Sequence, residues 1–295
     1  MDLLQQLAFQ GLNGLIWGLI LALMALGLNL IYGVLGIINV AHGAFYMLGG
    51  VLTWYLWYLA PWGFWWGLLL APALVGLLGL LLERGVLRPV EGRPVMTIIV
   101  TFGLLLLLQH GVLLLFGGAP RSLPEPVRFT VGFLGLHYPG YRLVVALLSV
   151  VAMAALWLLL HRSRLGLWIR ATAQSRELAT ALGLPVPWIY LLTFGLGAAL
   201  AALAGALTAP LVSVSYRMGE EVLIEAFIVV IVGGLGSLGG AALAGMLLGV
   251  LEGLFTVWAS PVLARVLALA ALGGALLLRP EGLLGKRSGS GEEAR

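Results

Sequence analysis

Nine apolar runs divide this chain, at residues 12–31, 44–59, 64–82, 95–116, 143–160, 188–211, 222–232, 241–258 and 262–278. They are continuous and rich in Leu and Ala rather than alternating, so they predict helices and not the strands of a barrel. A spanning helix needs about 20 apolar residues, and most of the runs come close to that. The run at 222–232 is short and predicts an extension into the Gly-rich backbone that follows it. The expected fold is an all-α, polytopic transmembrane bundle of about eight to ten spans, with Gly-rich broken helices.

The connections carry their own signals. Trp54, Tyr55, Trp57, Tyr58, Trp62, Trp65 and Trp66 form an aromatic belt around Pro61, which predicts a tight turn at a membrane interface. Residues 83–94 predict a polar loop with Arg84, Arg88 and Arg93, and residues 117–142, rich in proline, an ordered external loop. Residues 279–295 predict a short, polar, frayed tail. The first ten residues lack the basic region of a cleaved signal peptide and predict an interfacial half-helix of the mature chain.

Composition narrows the class. The 295 residues are 61% hydrophobic and 9% charged, against about 25% charged in soluble domains, so this is an integral membrane protein. Cysteine is absent, which excludes disulfides, thiolate metal sites and a cysteine nucleophile. The net charge of +4 does not call for nucleic acid. Eleven Lys and Arg fall in the segments expected inside and five in those expected outside, which predicts an outer N-terminus and an inner C-terminus.

Candidate chemistry starts at residues 28–50, where Asn29, Tyr32, Asn39 and His42 stand among Gly33, Gly36 and Gly43. Two readings fit. One is a helix broken inside the membrane at a polar passage, where irregular backbone survives because protein or water surrounds it. The other is a tight cytosolic turn in which Asn and His cap helix ends. No second His or carboxylate lies at ligand spacing from His42, so no metal site is expected. A second Gly-rich segment, 232–253, places Gly245, Gly249 and Gly253 at four-residue spacing, the pattern of close helix packing.

Ionisable residues near or within the runs are His42, His110, Glu225 and Glu252. Charge inside a membrane points to function by default. Glu225 is expected near an interface, Glu252 paired or protonated, and Gln109-His110 in an interhelical hydrogen bond. They form no carboxylate ladder for proton or sodium coupling, which weighs against an ion-driven secondary transporter. An intramembrane enzyme is disfavoured too: no Asp follows Asp2, and no His-x-x-x-His or Gly-x-Ser-x-Gly motif occurs, so no catalytic residue is assigned.

The basic loop at 162–185 predicts a short helix with Ala171, Ala173, Leu178, Ala179 and Leu182 along one side. Arg170, Arg176 and Glu177 line another side, and Gly183 ends the helix. It fits either a soluble partner or the lipid headgroups.

Three segments together resemble a known family. GLNLIYGVLGIINVAHGAFYMLGG (27–50), RATAQSRELATALGL (170–184) and VIVGGLGSLGGAALAGMLLG (230–249) are similar to the LivH-type permease subunits of ATP-binding-cassette importers for branched-chain amino acids. The similarity covers nearly the whole chain and is weakest at its ends. It implies one permease domain over 1–295 in a bacterial plasma membrane, working by alternating access. It implies a substrate pathway with Asn29, Tyr32, Asn39, His42, Gly43, Gly236 and Ser237. It implies a coupling segment with Arg170, Ala173, Arg176, Glu177, Ala179 and Gly183; the acidic residues common near positions 174–175 in the family are absent here. The implied partners are a homologous LivM-type sister permease, two ATP-binding subunits and an extracytoplasmic amino-acid-binding protein docking over 117–142 and 212–221. The chain has no Walker-type loop and a single lysine, Lys286, so ATP and magnesium are expected in the partner subunits and no cofactor on this chain. Urea or short-amide permeases share the same three segments and are the alternative within the family.

Overall fold

A computed structural model describes residues 2–60, 63–133, 136–279 and 281–285. Each apolar run becomes a helix. In chain order these are α1 (Leu3–Leu35), α2 (His42–Leu59), α3 (Gly63–Leu82) and α4 (Pro94–Phe116), then a hairpin of β1 (Thr130–Phe133) and β2 (Leu136–Pro139). After it come α5 (Gly140–Arg162), α6 (Arg164–Gln174), α7 (Arg176–Ala181), α8 (Val186–Thr208), α9 (Met218–Gly233), α10 (Leu238–Phe255) and α11 (Pro261–Leu278). Among the described residues seven helices are long and apolar enough to cross a membrane; α9, with 16 residues, and the more polar α2 fall outside that set. The chain is a multi-pass membrane protein.

Helices α1 and α8 form the centre, and almost every side chain of α1 from Ile16 to Ile31 is buried. Small residues make this possible. Helices α1 and α10 run antiparallel, with Gly14 against Gly249 and Gly253, and Gly18 against Gly245. A Cβ on Gly18 would stand 2.7 Å from the Gly245 carbonyl oxygen. Gly49 of α2 meets Ala202 of α8 in the same way. Backbones this close gain dispersion contacts that larger side chains would forbid. The rim is apolar and exposed, with Leu69 on α3, Leu107 and Leu114 on α4, Leu158 on α5 and Val262 on α11 facing outward. A hydrophobic rim around a packed centre is the arrangement lipid requires.

Four sequence expectations are corrected. The N-terminal residues are not a separate interfacial half-helix; they are the first turns of α1, started by a capping box between Asp2 and Gln5. At 33 residues α1 is about 50 Å long, well beyond the roughly 30 Å hydrocarbon core. Residues 83–90 are not loop, because the helix continues through a π-helical turn (Glu83–Leu87) and a 3-10 turn (Arg88–Val90). The basic loop holds two helices rather than one, since Ser175 ends α6 and caps α7 by accepting from the Leu178 N–H at 3.2 Å. The tail is not frayed where it is described: residues 281–285 pack under the end of α9. The turn at Pro61 and residues 286–295 lie outside the described residues.

The proline-rich segment between α4 and α5 is held in place where it is described. The β1–β2 hairpin is tied to α1 through Asn13, which accepts from the Tyr138 hydroxyl at 2.6 Å and from Arg142. Arg121 and Val214 exchange backbone hydrogen bonds of 2.9 and 2.8 Å and join the loop after α4 to the loop after α8.

Candidate functional site

Two breaks interrupt the helices, one between α1 and α2 and one between α9 and α10. The second packs against the last turns of α1, just before the first: a Cβ on Gly33 would lie 3.3 Å from the Gly236 Cα.

The second break, residues 234–237, is braced by a buried side chain and by the tail. Gly234 and Gly236 have φ of +103° and +80°, conformations that an L side chain rarely adopts. Asn29, buried in α1, donates to the Ser237 carbonyl at 2.8 Å and the Gly234 carbonyl at 3.4 Å, and accepts from the Gly236 N–H at 2.7 Å. Ser237 caps α10 by accepting from the Gly240 N–H at 3.2 Å. The last carbonyls of α9 would be orphans in a membrane. Leu283 donates to the Val232 carbonyl at 2.8 Å and Leu284 to the Gly233 carbonyl at 3.3 Å, so the tail supplies the missing donors.

The first break, residues 36–41, is different. Gly36 ends α1 with φ +68°, and the chain then climbs back into the protein. Thr101 on α4 marks the climb: its hydroxyl accepts from the Val40 N–H at 3.3 Å. His42 starts α2 with Nε2 only 3.1 Å from the Met24 carbonyl. Met24 lies eleven residues before the end of α1, about 16 Å up its axis. Asn39 and His42 are both completely buried. The break is therefore no shallow surface turn: it folds back along α1 into the buried centre of the bundle.

Its polar groups are only half used. Asn39 Oδ1 accepts from the Ala41 N–H at 3.1 Å, but its Nδ2 has no partner among the described residues. A carbonyl can only accept, so His42 donates through Nε2 and the neutral ring keeps a lone pair on Nδ1. That Nδ1 is buried and also without a partner. One free donor and one free acceptor therefore sit three residues apart at the N-terminus of α2. Gly43 lets α9 approach, since a Cβ there would lie 2.6 Å from the Gly219 carbonyl oxygen.

A cleft links this break to the α6–α7 segment. Leu35 and Ile37 line it on one side, and Glu83, Leu87, Arg88, Glu91, Thr97 and Tyr190 on the others. Arg176 of α7 closes the chain of contacts. It pairs with Glu91 at 2.6 Å and lies 5.4 Å from the centre of the Tyr190 ring. The outer face of the segment is Ala173, Glu177, Leu178 and Leu182, with Leu178 66% and Leu182 78% exposed, while Ala179 and Ile169 turn inward. Of the expected common face, Ala173, Leu178 and Leu182 are exposed, Ala171 is half-buried and Ala179 is buried, because Ala179 follows Leu178 by one residue and so sits about 100° round α7. Gly183, at φ +77°, ends α7 by donating to the Thr180 carbonyl, and Leu184 donates to that of Ala179.

A family model described as branched-chain amino acid transport system / permease component matches residues 11–278. The chain belongs to that family. LivH, the high-affinity branched-chain amino acid transport system permease protein of Salmonella typhimurium, is 31% identical, over 94% of this chain and 95% of its own. BraD, the corresponding protein of Pseudomonas aeruginosa, is 33% identical over 96% of both chains. LivM of Escherichia coli K12 is 29% identical over 90% of this chain and 68% of its own. No solved structure matches the chain significantly.

In this permease, then, the expected pathway residues separate. Asn39, His42 and Gly43 cluster at the first break. Asn29 is committed to holding Gly236 and Ser237, and Tyr32 is half-buried one turn before Gly36. Of the Gln109-His110 pair, only Gln109 bonds between helices, to Glu220; His110 Nδ1 turns to the Leu106 carbonyl of its own helix. Three contributors escaped the sequence reading. Glu91 and Tyr190 give no sign, because their partner Arg176 is 85 and 14 residues away. Arg265 did give one: it is a cation inside an apolar run, and such a charge calls for a partner.

Proposed function

We propose that this permease carries branched-chain or related hydrophobic amino acids through a plasma membrane as the translocating subunit of an ATP-driven importer. Family membership across residues 11–278 carries this reading. The whole chain acts as one permease domain. It pairs with a LivM-type sister permease and two ATP-binding subunits, and takes substrate from an extracytoplasmic binding protein. It binds no cofactor and catalyses no reaction of its own; ATP and magnesium act in the partners.

The passage is assigned to the first break. A free amino acid presents a carboxylate and an ammonium group. The unpaired Asn39 Nδ2 can donate to the first and the unpaired His42 Nδ1 can accept from the second. The N-terminus of α2 adds positive potential beside them. Both groups are sealed in the conformation described, so they reach substrate only when α2 and α9 part. The α6–α7 segment supplies that motion. Its exposed Ala173, Glu177, Leu178 and Leu182 dock on an ATP-binding subunit, with Gly183 ending the docking helix and Arg170 at its base. The Arg176–Glu91 contact passes displacement into the cleft under Leu35 and Ile37.

Affinity purification from the native membrane tests the assembly, with leucine and urea uptake by the reconstituted complex as readout. Copurification of ATP-binding subunits and leucine uptake are expected. Urea uptake without leucine uptake would overturn the amino acid assignment, and transport by this chain without ATP-binding subunits would overturn the importer.

A further inference from the structure

A second polar centre lies about 1 turn below the outer ends of α10 and α11, away from both breaks. Arg265 of α11 reaches Glu225 of α9 at 3.0 Å and Glu252 of α10 at 3.3 Å through the same Nε. Its Nη1 is 3.4 Å from Glu221, whose carboxylate is largely exposed. Glu221 is open to water and needs no compensation. Glu225 and Glu252 are not: their side chains are 4% and 14% exposed, and the Oε2 of each is buried without a partner. Beside Glu225, the Trp17 indole of α1 faces the carboxylate short of hydrogen-bond geometry, and Tyr46 of α2 lies within electrostatic reach.

The charges do not balance. One guanidinium faces two buried carboxylates, and Trp17 and Tyr46 contribute no cation. An uncompensated charge in this environment is strongly unfavourable. Both free oxygens are closed to solvent, so the balancing charge must need no volume of its own.

We propose that Glu225 and Glu252 hold one proton between them, residing on Glu225, the deeper of the two. The proton comes from the outer water, joins one Glu225 oxygen to give a neutral carboxylic acid, and leaves by the same route. The Glu252 carboxylate and the Arg265 guanidinium then form a balanced pair. Protonated, the centre pins α9, α10 and α11 together. Deprotonated, it holds two buried anions against one cation and loosens α9, whose far end is the break at Gly234. This inference does not depend on the substrate or on the partners.

Infrared spectroscopy of the full-length protein in nanodiscs tests it, together with thermal unfolding across pH. The carbonyl band of a protonated carboxylic acid is expected at neutral pH, absent in Glu225→Gln and retained in Glu221→Gln. Glu225→Gln, a neutral mimic of the acid, should unfold at or above the wild-type temperature and lose the wild type's alkaline destabilisation. Glu225→Ala removes the packing as well and should unfold lower. A wild type without the band, or a Glu225→Gln protein that keeps both the band and the alkaline sensitivity, would overturn the proposal.

Discussion

The two breaks are built from the same material, Gly-rich backbone between buried helices, yet they are finished in opposite ways. At residues 234–237 the break is braced from two sides: Asn29 serves the Gly236 N–H and two carbonyls, and Leu283 and Leu284 cover the end of α9. At residues 36–42 Thr101 holds the Val40 N–H and the Met24 carbonyl holds the His42 ring, while Asn39 Nδ2 and His42 Nδ1 are buried and unspent. An unsatisfied buried donor or acceptor costs about 1–3 kcal/mol. A protein carries that cost where another molecule, or another conformation, completes the bond. In the proposed function the satisfied break serves as a fixed hinge for α9 and α10, and the unsatisfied one is assigned to the substrate.

Substitutions can break that contrast, and their expected effects on stability descend in order. Asn29→Leu removes three hydrogen bonds and leaves the Gly236 N–H orphaned, so it should lower stability by about 3 kcal/mol, seen as a large fall in the unfolding temperature. Leu283→Pro deletes the donor to Val232 and should cost about 1–2 kcal/mol by the same measurement, with little change in uptake by the protein that remains folded. Asn39→Ala and His42→Ala each lose a single hydrogen bond, worth about 1 kcal/mol, yet each should reduce uptake at least tenfold in transport assays. Were Asn39→Ala as destabilising as Asn29→Leu, the two breaks would be alike after all. The smallest effect on stability belongs to the partly exposed Arg176–Glu91 pair. Arg176→Glu should cost under about 1 kcal/mol while uncoupling ATPase stimulation, and the double variant Arg176→Glu, Glu91→Arg should restore coupling.

Much of this was legible in the chain itself. Nine apolar runs became nine helices, seven of them long and apolar enough to cross a membrane, because lipid makes hydrophobic length nearly a direct readout of a span. The four-residue glycine spacing of α10 announced the close approach of a neighbouring helix, which α1 supplies through Gly14 and Gly18. The polar stretch at 28–50 was visible, but the division of labour within it was not. Asn29 and Asn39 are the same residue type, ten positions apart. Only the partner of Asn29, some two hundred residues away, makes one a brace and leaves the other free. Likewise Leu178 and Leu182 share one side of α7 and Ala179 takes another, and which side packs inward is set by the neighbouring helices rather than by the sequence of α7. The tail at 281–285 looked loose because its value lies in backbone N–H groups, which composition cannot report.

The native chain has no cysteine, so single thiols report accessibility without background. The most direct measurement is the labelling rate of Asn39→Cys and Ser237→Cys by a small, water-soluble thiol reagent, in the assembled importer at rest and during turnover. The account predicts an Asn39→Cys thiol closed at rest and reactive while substrate, binding protein and ATP are supplied, beside a Ser237→Cys thiol whose rate does not change. An Asn39→Cys thiol that stays closed through turnover, or a Ser237→Cys thiol that opens in its place, would contradict it.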